Sequence, residues 1–297
     1  MLIRGQLRQK SAHCKRRARS ILNGFLTFAA ERHYVPTNQV GSRTKSRETT
    51  TAQIDERRLP SLDQRIDFIR NVARLVNGWR YVPYFALMAF GALRPEESID
   101  FRKYDLELPK EIRHIPMHQL TDEQKETWAT LYIHETAPVV GSAWTDSREI
   151  RDDRGLKQRE EGEVRTAPSE PMLTRILIDH MLHPEFQEGP GGQINTRPNG
   201  ELLADSTIRR KFHEARALTF TKVQLASKLL ARPYDFRPAC ITEWLADVGD
   251  PTPVAAWAGH TVAVLLRIYA KWIDGREQTA RERVKRARAG SRFAPVI

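Results

Sequence analysis

Three side chains at fixed intervals constrain this chain more than any other feature: Arg237, His260 23 positions later, and Tyr269 nine positions after that. They stand in Arg232-Pro-Tyr-Asp-Phe-Arg237-Pro, Trp257-Ala-Gly-His260 and Arg267-Ile-Tyr269-Ala-Lys271. Asp235 is a good N-cap, Pro238 is tolerated in a first turn, and Ile241, Trp244, Leu245 and Val248 recur at helical spacing until Gly249. That places Arg237 in a helix's first turn, where free N–H groups and the dipole favour an anion. A second short helix follows Thr252-Pro253 and ends at Gly259, leaving His260 at a turn. Thr261 then caps a third helix with Val262, Leu265, Leu266 and Tyr269 along one apolar stripe. Taken singly, Tyr269 reads as a core tyrosine and His260 as a turn residue. Together with Arg237 they supply a cation, an imidazole and a phenol, the equipment for holding a phosphate and attacking it.

A second constellation lies upstream, Gly91-Ala-Leu-Arg94-Pro-Glu-Glu97. Pro95 disfavours helical geometry at Arg94 and suits the first helical position, so Arg94 is held at a junction. Glu96 and Glu97 then occupy the new first turn, where the dipole alone accounts for them. The two stretches together resemble the signature boxes of the tyrosine recombinase (phage integrase) family. There a Gly-x-Leu-Arg-x-x-Glu box precedes an arginine, a histidine in an Ala-Gly-His turn and a nucleophilic tyrosine at the spacings seen here. The resemblance implies a mainly α catalytic domain with a small antiparallel β-sheet. It also implies Arg94 and Arg237 on the scissile phosphate, Glu97 and Arg165 in support, His260 at the phosphate or in proton movement, and Tyr269 as nucleophile. In that family a hairpin lysine protonates the leaving 5′ oxygen; Lys157, in Gly155-Leu-Lys157-Gln-Arg159, is the nearest match, and a solvated lysine in a charge run is the alternative. No cofactor is implied.

Charge agrees with a polyanionic partner. The chain has a net charge of +11 and a pI near 9.9 over 297 residues, which favours double-stranded DNA, with an anionic membrane surface as the rival. Two distant cysteines, Cys14 and Cys240, lack metal-ligand spacing and read as reduced, which suggests the cytoplasm, at the nucleoid if DNA is the partner. The basic first twenty residues do not fit a signal peptide, and no uncharged run is long enough to span a bilayer.

The remaining segments suggest an order. From about Ser11 to Glu31 a basic helix carries Ile21, Leu22, Phe25, Leu26 and Ala29 on one face, with Lys15, Arg16 and Arg19 beside it. Residues 1–40 resemble the end of a helical DNA-clamping domain whose earlier helices are missing, so the chain looks N-terminally short. Residues 41–56 read as a linker. The catalytic domain spans 57–274, opening with a Ser61-capped helix and a buried helix from Tyr81 to Phe90. Trp128–His134 and Glu163–Pro168 have strand character, with a charged hairpin and loop between them. Further helices cover Pro171–Leu182 and Ser206–Leu218; the latter carries Arg209, Arg210, Lys211 and Arg216, which face either DNA or solvent. A basic tail, 275–297, packs on a neighbouring protomer if the resemblance holds.

Two residues depart from the family pattern. Where most members have His-x-x-Arg-His, this chain has Tyr234-Asp-Phe-Arg237-Pro238. Tyr234 keeps a hydroxyl for the phosphate but is a poor base at neutral pH. Pro238 bears on local packing more than on mechanism. The reading is a site-specific recombinase acting as a homotetramer on DNA, with accessory DNA-bending proteins as further partners. A non-catalytic DNA-binding protein on the same scaffold and a type IB topoisomerase are the alternatives.

Overall fold

The run Val-Pro-Tyr-Phe-Ala-Leu-Met-Ala-Phe, residues 82–90, has no charged side chain and can only be satisfied by burial on every side. It forms a helix whose residues from Pro83 to Phe90 are all buried, and the larger part of the chain is built round it. The computed structural model describes residues 12–40, 54–136, 154–155 and 164–273, with positions 281, 282 and 285 beyond them. The chain divides into two units, residues 1–51 and 52–297.

The first unit contains helix α1 (Ala12–Glu31), as its amphipathic pattern predicts. Ile21 and Phe25 are each 65% exposed; of that apolar face only Ala29 is buried, with Leu26 half-buried. Asn38 ties the following turn back to the helix by donating to Thr27 Oγ1 at 2.8 Å and to Asn23. The expected linker, 41–56, lies outside the described residues up to 53. Its last residues belong to the second unit, since Asp55 caps a 3-10 turn at 56–58 and pairs with Lys228 at 3.3 Å.

The second unit opens with α2 (Leu62–Arg74), capped by Ser61 in a reciprocal box with Gln64. Then come the buried α3 (Val82–Phe90), α4 (Pro95–Asp100), β1 (Leu106–Glu107) and α5 (Asp122–Lys125). β2 (Ala129–Ile133), β3 (Glu135–Thr136), β4 (Arg154–Gly155) and β5 (Arg165–Ser169) complete the strands. The helices α6 (Pro171–Met181), α7 (Asp205–Thr219) and α8 (Lys222–Ala226) precede the signature helices α9 (Phe236–Val248), α10 (Pro251–Ala258) and α11 (Val262–Ile273). One sheet runs β1-β2-β5, antiparallel throughout, and β3 pairs antiparallel with β4. The fold is mainly helical with a small antiparallel sheet, as the sequence implies.

α2 packs on α7, while α3 is covered by α6 and α9. At their junction Phe68 meets Phe85, Phe236 and Phe212 with ring centroids 5.4, 5.0 and 5.5 Å apart. Each fully buried ring contributes about 2–3 kcal/mol from area alone. Phe236 immediately precedes Arg237, so this aromatic cluster fixes the first turn of α9. A smaller apolar cluster joins Ala92, Cys240, Ile241, Leu245, Val254, Ala255, Ala258, Leu265 and Tyr269, and holds α9, α10 and α11 together.

Some local expectations need correction. Asp235 occupies the N-cap of α9, yet its carboxylate accepts from Arg232, backbone N–H at 3.0 Å and Nη2 at 2.8 Å, rather than from the helix. It closes the 233–235 turn instead. The basic face of α7 is narrower than its sequence suggests: Lys211 is buried and paired with Glu214, and Arg216 donates to the carbonyls of Leu225 and Leu229. Arg209 and Arg210 remain exposed. Pro238 is accommodated without a break, because its missing N–H falls among the unpaired donors of the first turn.

Candidate active site

Glu97 is the centre of the site. Its side chain is fully buried at the first turn of α4, where its Oε2 accepts the Arg94 N–H at 2.7 Å. Its Oε1 lies 2.5 Å from Arg94 Nη1, and its Oε2 lies 2.5 Å from Arg165 Nη2 and 3.8 Å from Arg237 Nη1. Burial would raise this carboxyl, but Arg165, Arg237 and Arg94 outweigh it and hold the group at about 2. Burial lowers Arg165 to about 10, so at neutral pH it still carries its charge.

Each guanidinium has a distinct origin. Arg94 is the N-cap residue of α4, held extended at φ −76, ψ 156 by Pro95 as the sequence predicts. Arg165 opens β5 opposite Ile133, and strand alternation points it to the buried face, where an apolar residue is ordinary. Arg237 is the second residue of α9; its Nη1 donates to the Ala92 carbonyl and its Nη2 to the Ala258 carbonyl. The fork expected to clasp a phosphate is therefore engaged with backbone, while its buried Nε has no partner among the described residues. Ala92 presents its carbonyl from a left-handed conformation, φ 52, a conformation uncommon for a residue with a Cβ. Sequence reasoning missed Ala92, Ala258 and Trp257, which act through backbone carbonyls and leave no side-chain signature.

The turn after α10 brings in the imidazole. Gly259 adopts φ +63, and a Cβ there would lie 2.9 Å from Arg165 Cδ, so the turn needs glycine on two counts. Arg165 Nη1 also donates to the Trp257 carbonyl at 3.1 Å, which fastens the end of α10 to the cluster. His260 follows, half-buried, its N–H bonded to the Ala255 carbonyl at 2.9 Å. Burial, then Arg237, Arg94 and Arg165, hold its ring down to about 4, so it is neutral at pH 7. Its Nδ1 is buried without a partner among the described residues.

Thr261 caps α11 as expected, its hydroxyl accepting from Val264 N at 3.2 Å. Tyr269 stands two turns on, its ring centroid 6.4 Å from that of His260. It is only 3% exposed, and burial pushes its phenol up against the opposing pull of Arg237. Tyr234 is 43% exposed in the 233–235 turn, and its electrostatic influence reaches Tyr269.

The structure thus gathers Arg94, Glu97, Arg165, Arg237, His260 and Tyr269, with Tyr234 at the margin. Three guanidiniums against one carboxylate leave a formal excess of two positive charges, since His260 is neutral and Tyr269 protonated. An anion is the species such a site lacks. Lys157 lies outside the described residues, beyond β4. Of the other basic residues singled out, Lys15 and Arg19 are exposed on α1, where Arg16 also sits, and Arg209 and Arg210 are exposed on α7. Among the described residues no group of histidine, cysteine and carboxylate side chains could hold a metal ion, and no helix is long and apolar enough to cross a membrane.

No protein-family profile and no curated protein matches the chain. Solved structures do. The Tn1549 transposon integrase in complex with transposon right end DNA superposes with a TM-score of 0.60 at 13% identity, over 96% of this chain and 82% of that one. The same integrase with circular intermediate DNA gives 0.58 at 12%, over 96% and 83%. The XerH site-specific recombinase bound to palindromic difH substrate, in its post-cleavage complex, gives 0.50 at 10% over 78% of this chain, which spans 54% of that one. In fold the chain is similar to the tyrosine recombinases and has the architecture of their catalytic domain.

Proposed function

We propose that the chain is a site-specific DNA recombinase that breaks and rejoins strands through a covalent tyrosyl intermediate. The observation that carries this reading is the buried excess of two positive charges beside His260 and Tyr269. A backbone phosphate supplies the missing anion. Arg94, and Arg237 once its fork leaves the Ala92 and Ala258 carbonyls, neutralise its non-bridging oxygens as the pentacovalent state forms, and Glu97 and Arg165 hold them in place. The Tyr269 oxygen attacks phosphorus, the P–O5′ bond breaks, and the bond energy is kept as a 3′-phosphotyrosyl ester. The departing 5′ oxygen takes a proton, from Lys157 if the hairpin reaches it. A 5′ hydroxyl from a second duplex then reverses the step. His260, neutral with a buried Nδ1 to offer, hydrogen-bonds the phosphate or passes the tyrosyl proton. Exchange of two duplexes takes four cleavages, so the acting species is a homotetramer on DNA, with accessory DNA-bending proteins as further partners. The place of action is the cytoplasm, at the nucleoid.

Because Tyr269 is buried, α11 has to shift before the phenol meets a phosphate. That same burial favours a second reading, a DNA-binding protein on this scaffold that does not cleave. A pool of random-sequence duplexes, each nicked to trap the cleaved strand, separates the two. Recombination predicts a detergent-resistant protein–DNA complex with wild type and none with Tyr269→Phe; wild type that retains DNA without a covalent complex supports the second reading.

A further inference from the structure

Two features keep the guanidinium cluster closed, and they meet in one place. Arg237 uses both terminal nitrogens of its fork on backbone, Nη1 on the Ala92 carbonyl and Nη2 on the Ala258 carbonyl. Tyr269, the nucleophile of the proposed reaction, is buried. Ala92 and Ala258 belong to the same apolar cluster as the Tyr269 ring, together with Leu265 of α11. Ala258 is the last residue of α10, and only Gly259, His260 and Thr261 separate it from α11. Whatever holds the Ala258 carbonyl therefore holds the approach to the helix that carries Tyr269.

The hold is of a kind that an anion undoes. A guanidinium on a carbonyl makes hydrogen bonds that are charged on one side; on a phosphate the same two nitrogens make bonds charged on both sides, in the bidentate geometry that the fork prefers. Arg237 Nε, buried and without a partner among the described residues, is a further donor that the present arrangement leaves unused. Access is graded. The Arg94 side chain is 16% exposed against 1% for Arg165 and for Arg237, so an incoming phosphate meets Arg94 first and Arg237 after it. Arg165 Nη1 fastens the Trp257 carbonyl at 3.1 Å, which leaves the left-handed Gly259 as the point about which the chain beyond it turns. We propose that Arg237 is a latch released by the substrate: a phosphate bound at Arg94 draws the fork off the Ala258 carbonyl, and α11, no longer held from α10, turns to bring Tyr269 out of the apolar cluster. The inference rests on the reading of Tyr269 as nucleophile and adds the condition for its delivery, a phosphate already in place.

The test is nitration of the full chain by tetranitromethane, with the modified tyrosines located by mass measurement of peptides. Inorganic phosphate is the probe, since it occupies the guanidiniums without offering a strand to cut, and chloride at equal ionic strength is the control. Tyr234, 43% exposed, should react in either salt, and Tyr84, buried in α3, in neither. Tyr269 should react about tenfold faster in phosphate than in chloride. Arg237→Gln should show the fast rate in chloride, with no further gain in phosphate. Arg237→Lys, which keeps a charge beside Glu97 but cannot fork, serves if a reactive Tyr84 shows that the glutamine variant has unfolded. Equal Tyr269 rates in the two salts, or a protected Tyr269 in the folded variant, overturn the proposal. A covalent DNA complex from wild type whose Tyr269 ignores phosphate would remove the latch and leave the recombinase reading standing. Phosphate-dependent nitration without any covalent complex would remove that reading and leave the latch.

Discussion

Replacing Glu97 with glutamine removes one charge and almost no volume, so it isolates the electrostatics of the cluster from packing. In the wild-type protein that carboxylate lies 2.5 Å from Arg94, 2.5 Å from Arg165 and 3.8 Å from Arg237, with no solvent exposure of its own. Deleting one partner of a buried ion pair costs about 3–5 kcal/mol, because the remaining charge keeps its desolvation cost without compensation. If only a neutral hydrogen bond were lost, the cost would be about 1 kcal/mol. The larger figure should win, lowering the thermal midpoint on the order of 10 °C. The acid limb supplies a second signature. Glu97 titrates at about 2 in the folded chain against an ordinary 4.5, so its stabilisation is present above 4.5 and lost as pH falls towards 2. Glu97→Gln should lack that share of the acid dependence. At pH 7 the variant holds three guanidiniums with no carboxylate, so inorganic phosphate should raise its midpoint more than that of wild type. Urea and thermal unfolding across pH, with and without phosphate, make the measurement. A loss under about 1 kcal/mol with an unaltered acid limb would refute the idea that the carboxylate organises the site.

Further outcomes follow from the same geometry. His260 and His180 are each held down to about 4, so both oppose folding as pH drops below their unfolded 6.5, while Asp105, pushed up to about 6, offsets part of this. Net stability should fall on the order of 1–2 kcal/mol between pH 7 and pH 5, and equal urea midpoints at those two values would contradict the assignment. Gly259→Ala should destabilise by about 1–2 kcal/mol in thermal unfolding and weaken phosphate binding, since the added Cβ strains the left-handed turn and meets Arg165. Arg209→Ala with Arg210→Ala should reduce the slope of log affinity for duplex DNA against log salt by about two, and an unaltered slope would place that face of α7 in solvent.

Much of the site was legible because it is written in side chains at helical boundaries. Pro95 after Arg94, Gly259 before His260 and Thr261 at a helix start each fix local geometry, and the structure follows them. Arg165 was legible only partly: strand alternation gives its inward phase, but nothing local says that its partner is Glu97, 68 residues away. The carbonyls of Ala92 and Ala258 were not legible at all, because every residue has one and only tertiary placement selects these. Asp235 misled for a related reason, since Arg232 competes for the carboxylate that the helix would otherwise use. Leu266, placed on the apolar stripe of α11 with Leu265, turns outward to 38% exposure, as a stripe bordered by adjacent residues cannot bury both.

The central claim is that the phenol of Tyr269 becomes bonded to DNA. Proteolysis of a trapped wild-type complex, followed by mass measurement of the nucleotide-bearing peptide, tests it directly. The account predicts one modified peptide, containing Tyr269 and carrying the nucleotide through its 3′ phosphate. A modification on Tyr234 or any other residue, or no modified peptide from trapped DNA, would contradict it.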